Sequence, residues 1–329
     1  MPNDARTAMD VAFSISTVDI SSRGRWVEAP ALKLDGQAII VNGKWIKIAS
    51  LYDEDWVEEG LRDPERCVQL LKGQRGVLKA DILRFSQMVP DSAPRFAFPM
   101  ELRSIAVAEV GNLKNWWESL PQESRKNVRR SAKRGVTIRL KNFDEEVISG
   151  IAGVQNETPI RQGRKYPHYG KSLEAVKRDH GSFLDRSDFI CAYFEGEIVG
   201  FLKLVYRGKI AALLQLNSKV AHYDKRPSNA LLAKAVELCE ARGITHMTYG
   251  LFNYGSKGHS PLREFKERNG FSEMLIPNYF VPLTTWGQTC VNMKLYRGIR
   301  ELLPKKMLAT ALNLRSKWYT SRTSKAGVA

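Results

Sequence analysis

Three apolar runs between residues 188 and 216 form the most regular pattern in the chain. They read DFICAYF, IVGFLKLVY and IAALLQL, and they are separated by EGE at 195–197 and RGK at 207–209. Short breaks that combine glycine with charged residues are typical of turns between antiparallel strands. The pattern therefore predicts a three-stranded antiparallel meander.

A helical pattern follows the meander. In SNALLAKAVELCEARG, residues 228–243, apolar side chains recur along one broad face, as in a helix that packs against a sheet. Ser228 is suited to the N-cap, and Gly243 is suited to the position after the last turn. Two further elements are predicted: a strand over 244–250, and a helix that Ser260-Pro261 begins and Asn269-Gly270 ends.

The first hundred residues contain weaker signals. QAIIVNGKWIKIASL, residues 37–51, predicts two strands joined by a type I′ turn at Asn42-Gly43, because both central residues of that turn need a positive φ. We expect residues 1–36 to be irregular and residues 53–74 to be helical. SIAVAEV, residues 104–110, predicts a strand at the start of a new domain.

The last residues are basic and amphipathic. Nine basic residues and one acid lie between residues 294 and 325, with apolar residues among them. This composition suits a helix on an anionic membrane surface, and it suits equally a helix packed on the main domain with a basic end. The sequence thus predicts three parts: an accessory region at 1–103, a main domain at 104–290 and a basic amphipathic tail at 291–329.

LPQESRKNVRRSAKRGV, residues 120–136, concentrates positive charge on one predicted helix. Pro121 suits the first helical position, and Gly135 suits the position after the end. At 100° per residue, its six Lys and Arg cover about half of the circumference, and Val128 and Ala132 lie opposite as a thin apolar seam. Such a face is either solvated or in contact with anionic groups such as phosphates.

The whole chain is strongly basic. Its 329 residues include 51 Lys and Arg against 35 Asp and Glu, a net charge of +16. This excess indicates an anionic partner: a phosphate, a nucleic acid, a CoA-like cofactor or an anionic membrane face. The four cysteines form no C-x-x-C pair, so we expect neither a disulfide framework nor a zinc site. Because no signal peptide and no apolar run of ~18–20 residues is evident, we expect a cytoplasmic protein.

The order of these elements resembles the GNAT (acyl-CoA N-acyltransferase) fold, and within that superfamily it is most similar to Fem-type peptidoglycan-bridge aminoacyltransferases. Three segments within residues 104–285 carry the resemblance: RKNVRRSAKRGV at 125–136, RPSNALLAKAVELCEARG at 226–243 and LREFKERNGF at 262–271. The resemblance implies an α+β (mixed α/β) fold with a central, mostly antiparallel, splayed sheet flanked by helices. The accessory region would then be an addition or a degenerate GNAT-like lobe.

The resemblance places an activated donor at the start of the helix near residue 228. The loop before this helix, YDKRPSNA at 223–230, lacks the glycines of acetyl-CoA-binding members, but a helix N-terminus still offers N–H groups to phosphates. Fem-type proteins also place a lysine near the donor, in the FK segment. The residues predicted to bind the donor are Lys225, Arg226, Ser228, Asn229 and Lys266.

NETPIRQGRKYPHYGKS, residues 156–172, is a polar segment dense in groups suited to catalysis or binding. Glu157 or His168 is the predicted base for an amine. The residues predicted to bind the acceptor are Arg161, Arg164 and Tyr169. The alternative is a hydrated surface loop that contains a structural histidine.

Tyr249 lies at the end of a predicted strand. The resemblance implies that it protonates the leaving group, as a tyrosine near this place does in many GNAT members. Its alternative role is that of a packed aromatic ring, and the alternative for Lys266 is a place on a helix surface.

The function predicted from these features is N-acyl transfer. The donor would be an acyl-CoA such as acetyl-CoA, or an aminoacyl-tRNA, and no metal is expected. The acceptor would be a small or lipid-linked amine, such as an amino sugar or amino acid of a cell-envelope pathway, and the tail would allow contact with the inner face of the membrane. The alternative is a non-catalytic protein that binds nucleic acid or phosphate on the same fold. The oligomeric state stays open.

Overall fold

The computed structural model describes residues 14–22, 25–52, 60–161, 164–253 and 260–297. Its strands are β1 (Ser14–Ser22), β2 (Arg25–Leu34), β3 (Gln37–Asn42), β4 (Ile48–Leu51), β5 (Ile82–Ser86), β6 (Met100–Glu109), β7 (Thr137–Lys141), β8 (Ile160–Arg161), β9 (Arg164–Lys165), β10 (Ser187–Phe194), β11 (Glu197–Arg207), β12 (Ile210–Ser218), β13 (His246–Leu251) and β14 (Ser272–Pro282). Its α-helices are α1 (Pro64–Gly73), α2 (Leu113–Ser119), α3 (Gln122–Lys133), α4 (Glu145–Gln155), α5 (Leu173–His180), α6 (Pro227–Ala241), α7 (Pro261–Arg268) and α8 (Thr285–Asn292).

Two compact units account for these elements, and each is built from separate stretches of sequence. The described residues of the first unit come from 14–52, 63–85 and 279–297, and those of the second come from 60–62 and 86–278. The division at residues 103 and 290 that the sequence indicates stays a prediction, as does the role of the tail, most of which lies outside the described residues.

In its described part, the first unit combines a β-meander with two α-helices, α1 and α8. Strands β1 to β4 pair in antiparallel order, and β4 pairs in parallel with β5. Helix α1 begins after Asp63, whose carboxylate accepts a hydrogen bond from the backbone N–H of Arg66 at 2.9 Å. This N-cap satisfies one of the unpaired donors of the first turn and fixes where the helix starts.

Sequence-based expectations for this unit are only partly met. Residues 14–22 and 25–34 are not irregular but form β1 and β2, and Ala29 and Ala31 of β2 pack against Ile20 and Ile40. Alanines give a weak strand signal, and these are buried only once β1, β2 and β3 pair with one another. The β3–β4 hairpin is confirmed, but residues 43–47 connect its strands instead of a two-residue turn. Helix α1 starts only at residue 64, and residues 53–59 lie outside the described part.

The second unit contains a large mixed sheet. Its strands follow the order β14–β6–β13–β12–β11–β10–β7. The β6–β13, β12–β11, β11–β10 and β10–β7 pairs are antiparallel, whereas β12 and β13 are parallel. The meander β10–β11–β12 that the apolar runs predict is confirmed, with turns at the predicted breaks.

Each face of this sheet has its own apolar core. Along β10, Ile190 and Ala192 pack into one core, and Phe189 and Cys191 pack into the other, as the alternation of side chains along a strand requires. The first core contains the apolar stripe of α6, and the second contains those of α4 and α5. Helices therefore flank the sheet on both faces, and the predicted fold class is confirmed.

The basic helix α3 forms as predicted, but its packed face differs from the prediction. Ser124 and Ser131 are its buried residues, Val128 is half-buried, and Ala132 is exposed. The hydroxyl of Ser124 donates to the backbone carbonyl of Arg268 at 2.6 Å. Small polar residues, seven apart on one face, therefore make the contact that an apolar seam was expected to make.

Two glycines of α4 give a matched test of how this helix packs on β11. A Cβ at Gly150 would lie 2.4 Å from Cδ1 and 2.9 Å from Cβ of Ile198, whereas a Cβ at Gly153 would meet nothing within 4 Å. We expect Gly150→Ala to lower the free energy of unfolding by about 2 kcal/mol, because the helix must move off the sheet. Gly153→Ala should raise it by about 0.5–1 kcal/mol through helix propensity. Chemical denaturation of both variants measures this, and equal effects would contradict the packing.

Candidate active site

A gap opens in the sheet of the second unit between β12 and β13. The two parallel strands are paired only from Ile210–Ala212 to His246–Thr248. Beyond this point β12 continues to Ser218 and β13 to Leu251 without pairing to each other. The strands therefore diverge toward their carboxyl ends, as the splayed sheet predicted from the sequence requires.

The buried side chain of Lys266 donates hydrogen bonds to the diverging end of β13. Lys266 of α7 is fully buried, and its Nζ donates to the backbone carbonyls of Tyr249 and Leu251, each at 2.6 Å. These carbonyls belong to the part of β13 that has left β12. The ammonium also lies 4.5 Å from the centroid of the Tyr249 ring, and burial lowers the pKa of Lys266 to about 8.

A cavity of about 650 Å³ occupies this end of the sheet. β12 and β13 line it with Leu216, Asn217, Ser218 and Tyr249, and α7 lines it with Pro261, Leu262 and Phe265. The other lining residues are Arg161, Lys165, Tyr166 and Pro167 from the β8–β9 hairpin and its following loop, and Tyr223, Arg226, Pro227, Ser228 and Asn229 at the start of α6. The volume and the mixed apolar and polar lining are those of a small-molecule site.

The first turn of α6 lines the cavity. Arg226 is the N-cap and has a left-handed backbone (φ 57°), Pro227 follows at the first helical position, and no side chain caps the turn. The expectation that Ser228 is the N-cap is therefore wrong. Its hydroxyl instead lies 2.8 Å from that of Ser218, so it ties the helix to the diverging end of β12.

Asn229 and Lys225, which were expected near the donor, contact neighbouring side chains. Asn229 is buried, and its side-chain amide donates to Oδ1 of Asn269 at 2.9 Å. Lys225 lies 3.5 Å from the carboxylate of Asp224 and 4.6 Å from the ring of Phe194, and it does not line the cavity. Arg226 does line it, and it is exposed.

The β8–β9 hairpin is anchored to the end of β12. The guanidinium of Arg161 donates to the carbonyls of Ser218 at 3.2 Å and Val154 at 2.5 Å, and it lies 4.3 Å from the ring centroid of Tyr166. The hydroxyl of Tyr166 donates to Oδ1 of Asn217 at 3.0 Å. These bonds fix one wall of the cavity.

Solved structures provide a comparison for this arrangement. The chain is similar to FemX, with a TM-score of 0.54, 11% identity and coverage of 80% of this chain and 88% of that chain. It is similar to L-PGS from Bacillus licheniformis, with a TM-score of 0.50, 16% identity and coverage of 79% and 84%. It is also similar to the C-terminal domain (DUF2156) of a protein assigned as a lysylphosphatidylglycerol synthetase from Agrobacterium fabrum, with a TM-score of 0.50, 14% identity and coverage of 78% and 84%.

The fold is GNAT-like and similar to that of FemX. The resemblance seen in the sequence is thus confirmed for the fold. No protein-family model matches the chain, and no curated protein matches it significantly.

The GNAT-like fold brings only some of the predicted site residues to the cavity. Those that line it are Tyr249, Arg226, Ser228, Asn229 and Arg161, whereas Glu157, His168, Tyr169, Lys225 and Lys266 do not. Residue 164 lies in β9, and its side chain is outside the described part. The catalytic and binding roles of all these residues stay predictions.

Neither predicted base lines the cavity, although each contacts a residue that does. The carboxylate of Glu157 accepts from the N–H groups of Val220 and Ala221 at 2.6 and 2.8 Å, and it lies 3.7 Å from the Arg161 guanidinium. It thereby caps the short 3-10 helix Val220–Lys225. Burial, and then the nearby charge of Lys171, lower the pKa of His168, whose ring lies 5.4 Å from that of Tyr166.

Eleven of the residues that line the cavity were not among the site residues predicted from the sequence. They are Lys165, Tyr166, Pro167, Leu216, Asn217, Ser218, Tyr223, Pro227, Pro261, Leu262 and Phe265. Asn217 ends an apolar strand at the beginning of a loop, and Tyr166 lies within the polar segment 156–172, so both had a positional signal. Leu262 and Phe265 look like ordinary apolar residues of an amphipathic helix, and only the divergence of β12 and β13 turns them toward a cavity.

The charges that face the cavity are positive. Among the described residues, no aspartate, glutamate or histidine lines it, whereas Arg161, Lys165 and Arg226 do. Neither Lys165 nor Arg226 forms an ion pair with any described residue, and both are exposed. In the described part of the chain no three metal-ligating side chains converge, and none of the described helices combines the length and apolar character needed to cross a bilayer.

Proposed function

We propose that the protein transfers an acyl or aminoacyl group from an activated donor to an amine in the cavity at the start of α6. The observation that carries the proposal is the coincidence of three features at one place. The parallel pair β12–β13 diverges, an uncapped helix N-terminus faces the gap, and unpaired cations line it. An extended donor fits such a gap, and its phosphates are attracted to the positive end of the helix and to Arg226.

The proposed reaction needs few protein groups. A neutral amine nitrogen attacks the carbonyl carbon of the donor, a new C–N bond forms, and the C–S or C–O bond to the leaving group breaks. One amine proton is lost and one proton ends on the leaving group. We assign the delivery of that proton to Tyr249, because it lines the cavity at the end of β13 where the donor carbonyl would lie. The buried ammonium of Lys266 beside its ring stabilises negative charge that develops there.

The proposal covers two classes of donor, acyl-CoA and aminoacyl-tRNA. The turn before α6 lacks the glycines that allow a backbone to approach a pyrophosphate closely, and its first helical residue is a proline without an N–H group. A phosphate at this place would therefore depend more on cationic side chains than on backbone donors. An acyl-CoA and an aminoacyl-tRNA both present such phosphates.

We place the activity in the cytoplasm, at the inner membrane face if the acceptor is lipid-linked. Four free and buried cysteines agree with a reducing compartment. The similarity to a lysylphosphatidylglycerol synthetase, whose name denotes a lipid product, supports a lipid-linked acceptor, and the basic tail supplies a means of contact.

A donor panel tests the proposal. Purified protein is incubated with acyl-CoA thioesters or with charged tRNAs and a set of amines, and amide products are identified by mass spectrometry. We expect product with one donor class, and we expect Arg226→Gln to raise the KM for that donor about tenfold through the loss of one phosphate contact. The matched control is Arg268→Gln, because Arg268 pairs with Glu264 at 2.5 Å outside the cavity.

The rival function predicts a different result in the same assay. A non-catalytic nucleic-acid-binding protein would give no product with any donor. It would bind charged and uncharged RNA equally, with an affinity that falls steeply with salt. That combination would overturn the proposed transfer.

A further inference from the structure

The cavity has an unusual charge balance for a site that must accept an amine. An amine in water is largely a cation, and cations are repelled by positive charge. The charged side chains that line this cavity are Arg161, Lys165 and Arg226, and the other titratable groups that line it are the hydroxyls of Tyr166, Tyr223 and Tyr249. Apolar residues make up the α7 wall.

Two carboxylates close to lining residues are already paired, and of these only Glu157, beside Arg161, offsets part of the charge of the lining, so Lys165 and Arg226 remain uncompensated. Glu157 is held by two backbone N–H groups and by Arg161. Asp224 pairs with Arg134 at 3.1 Å and with Lys225 at 3.5 Å. Behind Tyr249 lies a further cation, Lys266, whose bonds to Tyr249 and Leu251 are to neutral carbonyls. An amine that enters therefore meets a positive field from several elements.

We propose that the acceptor is an amine that carries its own anionic group, a carboxylate or a phosphate, and that the cationic lining lowers the pKa of that amine in place of a general base. This inference rests on the proposed function and names the acceptor of the same site. The anion is bound by Lys165, which is exposed and unpaired among the described residues, with Arg161 beside it on the hairpin. The amine proton then leaves to solvent before attack, because nearby cations favour the neutral form.

The cations for the donor phosphates and those for the acceptor anion belong to different elements of the cavity wall. Arg226 belongs to the turn at the start of α6, where donor phosphates are attracted, whereas Arg161 and Lys165 belong to the β8–β9 wall. The Arg161 guanidinium is held by the carbonyls of Ser218 and Val154, so it fixes the hairpin that presents Lys165 at this wall. An exposed ammonium on a fixed hairpin is a suitable partner for an anion.

Calorimetry with matched amines tests the inference without a donor. The carboxylate pair is L-alanyl-L-alanine and its C-terminal amide, and the phosphate pair is glucosamine 6-phosphate and glucosamine. We expect the anionic member of at least one pair to bind at least about tenfold more tightly than its neutral partner. Titrations at pH 7 in buffers of different ionisation enthalpy should show release of roughly half a proton or more per site, because the free α-amine has a pKa of about 8.

Variants separate the charge of the cavity from the general charge of the protein. We expect Lys165→Gln to remove most of the preference for the anionic amine and to reduce proton release, and we expect Lys126→Gln on α3, outside the cavity, to change neither. Equal binding of both members of each pair, or proton uptake on binding, would overturn the inference. If instead a donor is found and neutral amines are acylated as fast as anionic ones, the inference fails while the proposed transfer stands.

Discussion

Replacement of Tyr249 by phenylalanine is expected to lower kcat for acyl transfer about 100-fold while KM changes less than about threefold. The variant retains the ring that packs 5.7 Å from Phe271 and 4.5 Å from the Lys266 ammonium, so it should fold and bind as before. It loses the hydroxyl that we assign to the leaving group, and positioned proton transfer contributes about 10²–10⁴ to rate. Steady-state kinetics with the donor found in the panel measures the effect.

The leaving group provides a second readout for Tyr249. A donor whose leaving group is a weak base, such as a nitrophenyl thioester, needs little protonation, so the defect of the variant should shrink to less than about tenfold with that donor. Tyr193→Phe is the matched control, because Tyr193 donates to Glu146 at 2.6 Å outside the cavity. A uniform loss with all donors would show that Tyr249 acts through packing and would refute its role as an acid.

Lys266→Met is expected to destabilise the protein by about 2 kcal/mol at pH 7 and to lower kcat/KM at least about tenfold. The methionine fills the same space but leaves the carbonyls of Tyr249 and Leu251 without the Lys266 donor, and an unsatisfied buried carbonyl costs about 1–3 kcal/mol. Removal of the desolvated charge offsets part of this cost. The loss of activity follows because the diverging end of β13, which carries Tyr249, is no longer held in place.

A second buried lysine supplies the control for this variant. Lys203 is as buried as Lys266, and its Nζ donates to the carbonyls of His180 and Ser182 at 2.9 and 2.6 Å, none of which lines the cavity. Lys203→Met should lower stability by a similar amount but leave kcat/KM of the folded enzyme unchanged. If both variants lose activity to the same extent, the effect of Lys266 is one of general stability.

The pH dependence of the free energy of unfolding provides an independent test of the lowered pKa of Lys266. Burial lowers its pKa to about 8 from 10.5, so between these values the unfolded chain holds a proton that the folded chain has lost. The unfolded state then binds more protons, and stability rises with pH in this window. Relative to Lys266→Met, the wild-type protein should gain up to about 3 kcal/mol from pH 8 to 10.5. A difference that stays flat across the window would contradict the lowered pKa.

The candidate site could be predicted from the sequence only in part. The start of α6, Tyr249 and Arg161 carried signals in chemistry and position, and all of them line the cavity. Glu157 carried the same chemical signal, but its carboxylate caps the 3-10 helix at Val220 and Ala221. Sequence alone does not distinguish these cases, because a carboxylate that binds two backbone N–H groups looks the same as one that faces a substrate.

Local pattern determined the central part of the fold. Alternation and turn residues specified the meander β10–β12, and capping residues specified α7, whose Ser260 accepts from the N–H of Arg263 at 3.2 Å. The order of these elements was sufficient to indicate a GNAT-like sheet. These features depend on residues close together in the chain, where backbone preference and hydrophobic period act directly.

Tertiary contacts decided the rest. Strands β1 and β2 form although their alanines and proline give little local signal, because pairing with each other and with β3 buries them. Lys266 was predicted to bind the donor, with a place on a helix surface as the alternative, yet it is fully buried and donates to two carbonyls of β13. The positive cavity arises only when segments near residues 161, 226 and 249 meet at the diverging strands. Non-local packing brings these segments together. The free energy of a buried polar group depends on hydrogen-bond partners that cannot be identified from the local sequence pattern.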